Sequence, residues 1–406
     1  MNNREAAMQR LKLTNGRVVT AQRIIPNGTV LVTGNQITDV CEGPLNVPDA
    51  VEIDVAGAYI APGFIDIHVH GGGGHDFMDG TETAFLRIAE LHAQHGTTAM
   101  VPTTLTSTQD QLLHTLDCYE RAHGQNTQGA EFLGMHLEGP YFALNQRGAQ
   151  DPRYIRDPDP AEYRAVLGYT NAVTRWSAAP ERKGALAFGR YLRDNGVVAA
   201  IAHTDAVYDE VVAAVENGYS LATHLYSAMS TVTRRQGFRL AGVVESAYLI
   251  DELDVELIAD GAHLPGPLLK LAYKIKGPDR TALITDAMRA AGMPPGPSIL
   301  GNRDNGLPVI VEDGVAKMPN RQAFAGSVAT ADRLLRTIRT QTDIPLLDAV
   351  QMLTSTPARI MGVGDRKGSL TARKDADLVV FDDDCHVALT VVGGRIVFQR
   401  EPEAVI

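Results

Sequence analysis

The feature that most constrains this chain is a repeated alternation. Between about residues 60 and 360, eight short apolar runs are each followed by a longer helix-like stretch. The runs are APGFIDIHVH, TTAMVPTTL, EFLGMHLEG, AVTRWSAAPE, VVAAIAHTD, YSLATHLYS, VELIADGAH and TALITDAMR. Amphipathic segments such as TETAFLRIAELHAQHG and AVYDEVVAAVENG lie between them. Parallel strands need long crossovers, usually helical, so this order predicts parallel βα units. Eight units over roughly 300 residues predict an α/β chain folded as a (β/α)8 TIM barrel. The rival is an open doubly wound sheet, which normally carries a GxGxxG turn after a strand. The glycines at 71–74 follow a strand-like run but lack that spacing. One helix is sharply marked: Thr108 with Gln111 three residues on forms a capping-box pattern, and Gly124 stands at its end.

Both flanks read as β. LKLTNGRVV, GTVLVTGNQITDV and AVEIDVAGAYI are short runs divided by Asn-Gly or Gly turns. GSLTARKDADLVVFDDD and VALTVVGGRIVFQ repeat the pattern at the other end. The predicted organisation is therefore a small β-sandwich module from 1–60 and 362–406, with a barrel from 61–361. GNRDNGLPVIVEDGVAKMPN, 301–320, reads as a hairpin inserted after the eighth strand, on the face where barrels keep their sites.

The net charge of −11 argues against a nucleic-acid partner, which calls for a basic surplus. The opening MNNREAAMQRLKL lacks the apolar core of a signal peptide, and no run of ~18 apolar residues predicts a membrane span. The three cysteines, Cys41, Cys118 and Cys385, are widely spaced. They form neither a disulfide framework nor a thiolate zinc motif, and they suit a cytoplasmic protein.

The chemistry sits at the ends of the runs. His68 and His70 form HVH, and residues two apart on a strand face one side, as chelation requires. The four glycines that follow allow backbone to approach a ligand closely. Glu138 ends the third run, His203 the fifth, His224 the sixth and Asp286 the eighth. Each alone reads as a solvated strand end. Together they place metal-competent groups on the C-terminal face of one barrel. His136, two residues before Glu138, reads as packing, and His92, His95, His114 and His123 fall in or beside helices. Imidazole and carboxylate donors without thiolate suit a divalent transition metal, and such a metal acidifies water and polarises a carbonyl. Asp286 is then the candidate general base and acid. No GxSxG elbow is present, which disfavours a serine hydrolase.

PGFIDIHVHG, HLEGP, AHTDA, THLYSAM, IADGAH, ITDAM and AGS occur in this order. In them the chain resembles the amidohydrolase superfamily and, within it, the N-acetylglucosamine-6-phosphate deacetylases. The resemblance spans nearly the whole chain. It implies hydrolysis of the 2-acetamido group of N-acetylglucosamine 6-phosphate to glucosamine 6-phosphate and acetate. Glu138, His203 and His224 match the main metal ligands, and His68 and His70 match those of a second metal that only some members hold. One or two ions per subunit are implied, zinc or iron foremost, about 3.5–4 Å apart where both bind. Glu138 would bridge them, where other branches use a carbamylated lysine. Asp286 matches the catalytic base and acid. His263 matches a substrate contact. Arg235, with Arg234 beside it, aligns with an arginine that reaches the phosphate held by a neighbouring subunit. That implies a homodimer or homotetramer with a shared site. Ser227, Ala228, Gln150 and the Ala325–Ser327 turn would line the sugar pocket. The chain departs from the family at Ser227, where many members carry asparagine; serine keeps a hydroxyl donor.

Three readings compete. The first is the sugar-phosphate deacetylase. The second is an amidohydrolase of a related substrate, such as N-acetylgalactosamine 6-phosphate, an unphosphorylated acetylated sugar or an N-acyl amino acid. The third is a barrel that binds without catalysis, against which the intact set of ligands plus Asp286 argues.

Overall fold

The computed structural model describes residues 10–401; the opening stretch 1–9 and the last residues of the second flank, 402–406, lie outside the described residues. Each of the eight apolar runs contains a parallel strand. These are β1 Phe64–Val69, β2 Thr97–Pro102, β3 Met135–Glu138, β4 Val173–Ala178, β5 Val198–Ile201, β6 Tyr219–Ala222, β7 Asp254–Ile258 and β8 Thr281–Ile284. Helices follow them in turn: α1 Glu82–Gln94, α2 Gln109–His123, α3 Pro160–Tyr169, α4 Ala185–Asp194, α5 Tyr208–Glu216, α6 Val243–Leu249, α7 Gly266–Lys276 and α8 Ala331–Gln341. The α2 cap forms as its sequence predicts: Thr108 accepts from the Gln111 backbone N–H, and the Gln111 side chain reaches back.

Hydrogen bonding groups the strands as two parallel sheets. β3 to β8 run side by side in chain order, and β2 pairs with β1 on one side and with Glu131–Phe132 on the other. Single parallel bridges, Thr103–His136 and Val69–Ala287, link the two sheets at their two edges. Alternate residues serve two cores, as strands buried on both faces require. Val101, Ala200, Leu221, Ile258 and Ile284 join one cluster. Leu137, Trp176, Ile201, Leu257 and Leu283 join the larger cluster that receives Phe85, Phe188 and Ile338 from the helices.

Beneath the site the strands carry charge instead of hydrocarbon. Arg175 on β4 and Glu256 on β7 are both fully buried. The guanidinium grips Glu256 with two N–H groups, one at 2.9 Å, and also donates to the Ile67 carbonyl and the Thr223 hydroxyl, each at 2.9 Å. This pair ties β4, β6 and β7 to β1.

The flanks share one eight-stranded sheet, with Leu378–Phe381 paired to Tyr59–Pro62. One turn and one strand expectation fail here. Asn15-Gly16 does not end a strand but sits inside Arg10–Val19 as a bulge. Asn15 adopts φ 58, and a side chain at Gly16 would meet Ile60 at 2.5 Å. A bulge uses the same left-handed residue types as a turn, so the dipeptide alone is ambiguous. GSLTARKDA contributes no strand; its backbone instead bonds to Asn35 and Ile37, as in Ala376 N to Asn35 O at 2.8 Å and Ile37 N to Lys374 O at 2.9 Å. The insertion is also larger than a hairpin. Gly296–Leu300, Leu307–Glu312, Val315–Lys317 and Phe324–Ser327 form a four-stranded antiparallel sheet. Its last strand bridges back to Ala287 just after β8.

Removing the guanidinium strands a buried carboxylate, a change that typically costs ~3–5 kcal/mol. Arg175→Met is expected to lower unfolding stability by about that amount. The double replacement R175M/E256L should cost less than R175M alone, as read by chemical denaturation.

Candidate metal centre

The strands end where the chemistry begins. His203, His224 and Asp286 each stand two residues beyond their strands β5, β6 and β8. All three adopt left-handed backbone, φ 46, 32 and 46. For non-glycine residues this conformation costs energy and concentrates at functional sites. It turns the chain sharply at the strand mouth and directs each side chain over the sheet end. Glu138 is the last residue of β3, and His68 and His70 lie at the end of β1.

The side chains converge on Glu138, which is 3% exposed. Its Oε1 lies 3.0 Å from His224 Nε2, 3.2 Å from His203 Nε2 and 3.6 Å from His68 Nε2. Its Oε2 lies 3.5 Å from His70 Nε2. Asp286 Oδ1 lies 3.2 Å from His70 Nε2 and 3.5 Å from His68 Nε2. The two imidazoles of HVH face each other, Nε2 to Nε2, at 3.2 Å. Two trios, His68–His70–Glu138 and Glu138–His203–His224, thus share the glutamate, with their ligand atoms within 4.8 Å of one another.

This donor set fits a transition metal. Bonds of about 2.0–2.1 Å at a tetrahedral angle separate ligand atoms by about 3.3 Å, close to the spacings found. The tautomers fit too. His203 Nδ1–H donates to the Gln146 carbonyl at 2.7 Å, which leaves Nε2 a lone pair pointing inward. Behind His68, Glu256 Oε2 stands 3.5 Å from Nδ1.

The electrostatics are mutual. Burial pushes the Glu138 carboxyl up, but the surrounding imidazoles of His68, His203 and His224 win and hold it well below the usual range. Asp286 is depressed in the same way by His68 and His70 against burial. Burial works against a charged His70, yet Asp286 and Glu138 raise it to about 9. His68 goes the other way: burial outweighs its carboxylate neighbours and lowers it.

Around this cluster the cavity wall includes Gln146, Gln150, Ser227, Ala228, His263, Phe324 and Gly326. His263 is oriented by Asp260, which takes its Nδ1–H at 2.8 Å and the backbone N–H of 262 and 263 on the other oxygen. Its ring lies 4.8 Å from Phe324. Gln150 spends its amide on the Glu138 carboxylate, at 2.6 Å. Arg235 does not reach this cavity in its own chain. It stands with Arg234 on an exposed hairpin, Thr233–Arg235 with Phe238–Leu240, over a neighbouring hollow that shares only Asn145 and Gln146 with the first.

His136 has both ring nitrogens engaged, by Thr103 at 3.2 Å and Ser177 at 2.6 Å, so it supports the floor of the centre. The glycines at 71–74 do not approach the cavity. They let the loop run against the backbone after β8, where a side chain at Gly71 would meet the His75 carbonyl at 2.3 Å and Arg289 N at 2.9 Å. The sequence reading missed Arg175 and Glu256, although a charge in mid-strand was the available signal. It also missed Asp66, which accepts from Thr285 and is pushed up to about 7 by burial.

Comparison with known proteins agrees with this geometry. The Amidohydrolase family profile matches residues 59–397. The chain is 34% identical to the N-acetylglucosamine-6-phosphate deacetylase of Bacillus subtilis, over 94% of this chain and 95% of that protein. It is 31% identical to the N-acetylgalactosamine-6-phosphate deacetylase of Escherichia coli O157:H7, covering 83% and 87% of the two chains. A solved structure from Mycobacterium smegmatis superposes with a TM-score of 0.88 at 33% identity, covering 96% and 99%. That protein is an aspartate-to-alanine mutant of N-acetyl-D-glucosamine-6-phosphate deacetylase in complex with N-acetyl-D-glucosamine-6-phosphate.

Zinc-loaded protein is expected to hold up to two ions per chain by elemental analysis. Replacing both His68 and His70 by Ala should leave one. An unchanged stoichiometry in that double variant would remove the pair from metal binding.

Proposed function

The chain belongs to the amidohydrolase family, and we propose that it is a metal-dependent deacetylase. It hydrolyses the 2-acetamido group of N-acetyl-D-glucosamine 6-phosphate to D-glucosamine 6-phosphate and acetate. The observation that carries this reading is the convergence of Glu138, His203, His224, His68, His70 and Asp286 at the mouth of one cavity. The whole-length similarity to sugar-phosphate deacetylases supports the substrate.

Glu138, His203 and His224 would hold the first ion, and His68 and His70 with Glu138 would hold a second; zinc or iron would suit these donors. When bound, the metal acidifies water and polarises the acetamide carbonyl. Asp286, held ionised by His68 and His70 despite burial, takes the proton from the attacking water. It then delivers that proton to the amine nitrogen as the C–N bond breaks; the water oxygen ends in the carboxyl group, and the second water proton, released as that group ionises to acetate, ends on the amine as ammonium. His263, fixed through Nδ1 by Asp260, offers Nε2 to the substrate. Ser227, Ala228 and Gln150 line the sugar side.

The strand order supports a closed (β/α)8 barrel for 61–361, because parallel bridges join both sheet edges and one inner cluster draws on strands of both sheets. A β-sandwich module from 1–60 and 362–406 is supported by a core that spans Leu13, Val32, Ile37, Leu378 and Val391. The hairpin of Arg235 supports a homodimer or homotetramer: Phe238 is 76% exposed and Val232 54%, as suits an arm reaching the phosphate in a neighbouring subunit. The three thiols are free, which favours the cytoplasm. Among the described residues no helix is long and apolar enough to cross a membrane.

Acetate release from N-acetylglucosamine and N-acetylgalactosamine, each with and without 6-phosphate, tests the assignment. The phosphorylated glucosamine derivative should lead in kcat/KM; preference for the galactosamine derivative would favour the second relative's activity. Asp286→Asn should keep its metal and lose turnover by at least ~100-fold, in keeping with general acid–base contributions. Near-normal turnover in that variant would exclude Asp286 from proton transfer. Arg235→Ala should raise KM for the phosphorylated sugar far more than for the unphosphorylated one, and equal effects would end its phosphate role.

A further inference from the structure

Gln150 is 4% exposed, and both ends of its amide are committed. Its Oε1 accepts from the Thr106 backbone N–H at 2.9 Å, which settles the orientation of the amide. Its Nε2 therefore donates to Glu138 Oε2, at 2.6 Å. The two oxygens of Glu138 lean toward different halves of the centre, although Oε1 also stands 3.6 Å from His68 Nε2. Oε1 faces His203 and His224, at 3.2 and 3.0 Å. Oε2 faces His70, at 3.5 Å, and this is the oxygen the amide occupies. A carboxylate oxygen that accepts a short N–H bond has one lone pair engaged and donates less strongly to a cation.

We infer that Gln150 is a positioning residue that sets the order of metal filling: its amide aims Glu138 Oε1 at the His203–His224 site and weakens Oε2 as a ligand for the His68–His70 site. The inference rests on the proposed role of Glu138 as a shared ligand. It deepens that role, because it makes the second ion the weaker and more readily exchanged one. The burial of Gln150 and its backbone anchor give the amide no alternative pose, so the bias is built into the fold.

The test uses chelator-stripped full-length protein titrated calorimetrically with zinc. In the wild type the two equivalents should bind with affinities at least about tenfold apart. In Gln150→Met, which keeps the length and loses the donor, the first affinity should fall and the second rise, each about tenfold. Parallel weakening of both ions, as a merely structural role would give, overturns the inference while leaving the metal-centre reading intact. Unchanged affinities overturn it equally. A second readout needs no variant: cobalt(II) added to the stripped wild type should develop its d–d absorption in two distinct stages. Simultaneous filling of two equal sites would overturn the inference, and a wild type that takes up no metal would overturn the centre itself.

Discussion

A buried carboxylate surrounded by imidazoles is the constraint on which the rest depends. Glu138 is ionised in a place that should forbid it, because the rings of His68, His203 and His224 outweigh the cost of burial. That balance requires four separate strand ends to deliver donors to one point. A displacement of any strand would leave an uncompensated charge inside the protein. The closeness of His68 Nε2 to His70 Nε2, 3.2 Å, makes the same demand from the other side. Ligation needs a neutral imidazole, so a divalent ion would compete with the proton that Asp286 and Glu138 favour on His70, and metal affinity and ring protonation are coupled.

The charge below this layer explains why the centre holds its shape. Arg175 and Glu256 form a fully buried pair that reaches the backbone of β1 and the hydroxyl of Thr223, next to His224. Glu256 faces both His68 Nδ1 and the His224 backbone N–H. One ion pair thus braces two of the converging imidazoles from behind. Arg289 does comparable work at the rim, clamping Asp79 and the carbonyls of Gly74 and Gly301. The glycine loop after His70 and the inserted sheet are thereby fixed to the end of β8.

Much of this was legible in the sequence, and the limits are physical. All eight strands announced themselves, since a strand buried on both faces must be an apolar run. His203, His224 and Asp286 were readable only as a set: each alone is an ordinary solvated strand end, but parallel strands bring all such ends to one face. Arg175 and Glu256 signalled only that a charge stands in mid-strand; that they pair was not legible, because the partners lie on different strands. Asn15-Gly16 misled because left-handed backbone serves bulges as well as turns. The four-stranded insertion exceeded the expected hairpin because Gly296–Leu300 and Phe324–Ser327 are defined by pairing with distant neighbours rather than by local alternation.

On the proposed reading, chemistry and recognition fall to different parts of the fold. The ionisable cluster stands on strand ends that share two cores and a buried ion pair, so its geometry is stiff. The rest of the cavity wall stands on loops and on the inserted sheet: His263 after β7, Ser227 and Ala228 after β6, and Phe324 on the sheet. The arginines lie further out still, on a hairpin whose residues are exposed. Ser227 lines the cavity in this outer tier, away from the cluster on the strand ends. Relatives that act on gluco and galacto sugars align with this chain at similar identity. That is what the division predicts, since stereochemistry at one hydroxyl is decided by loops and amide hydrolysis by the strand ends beneath them.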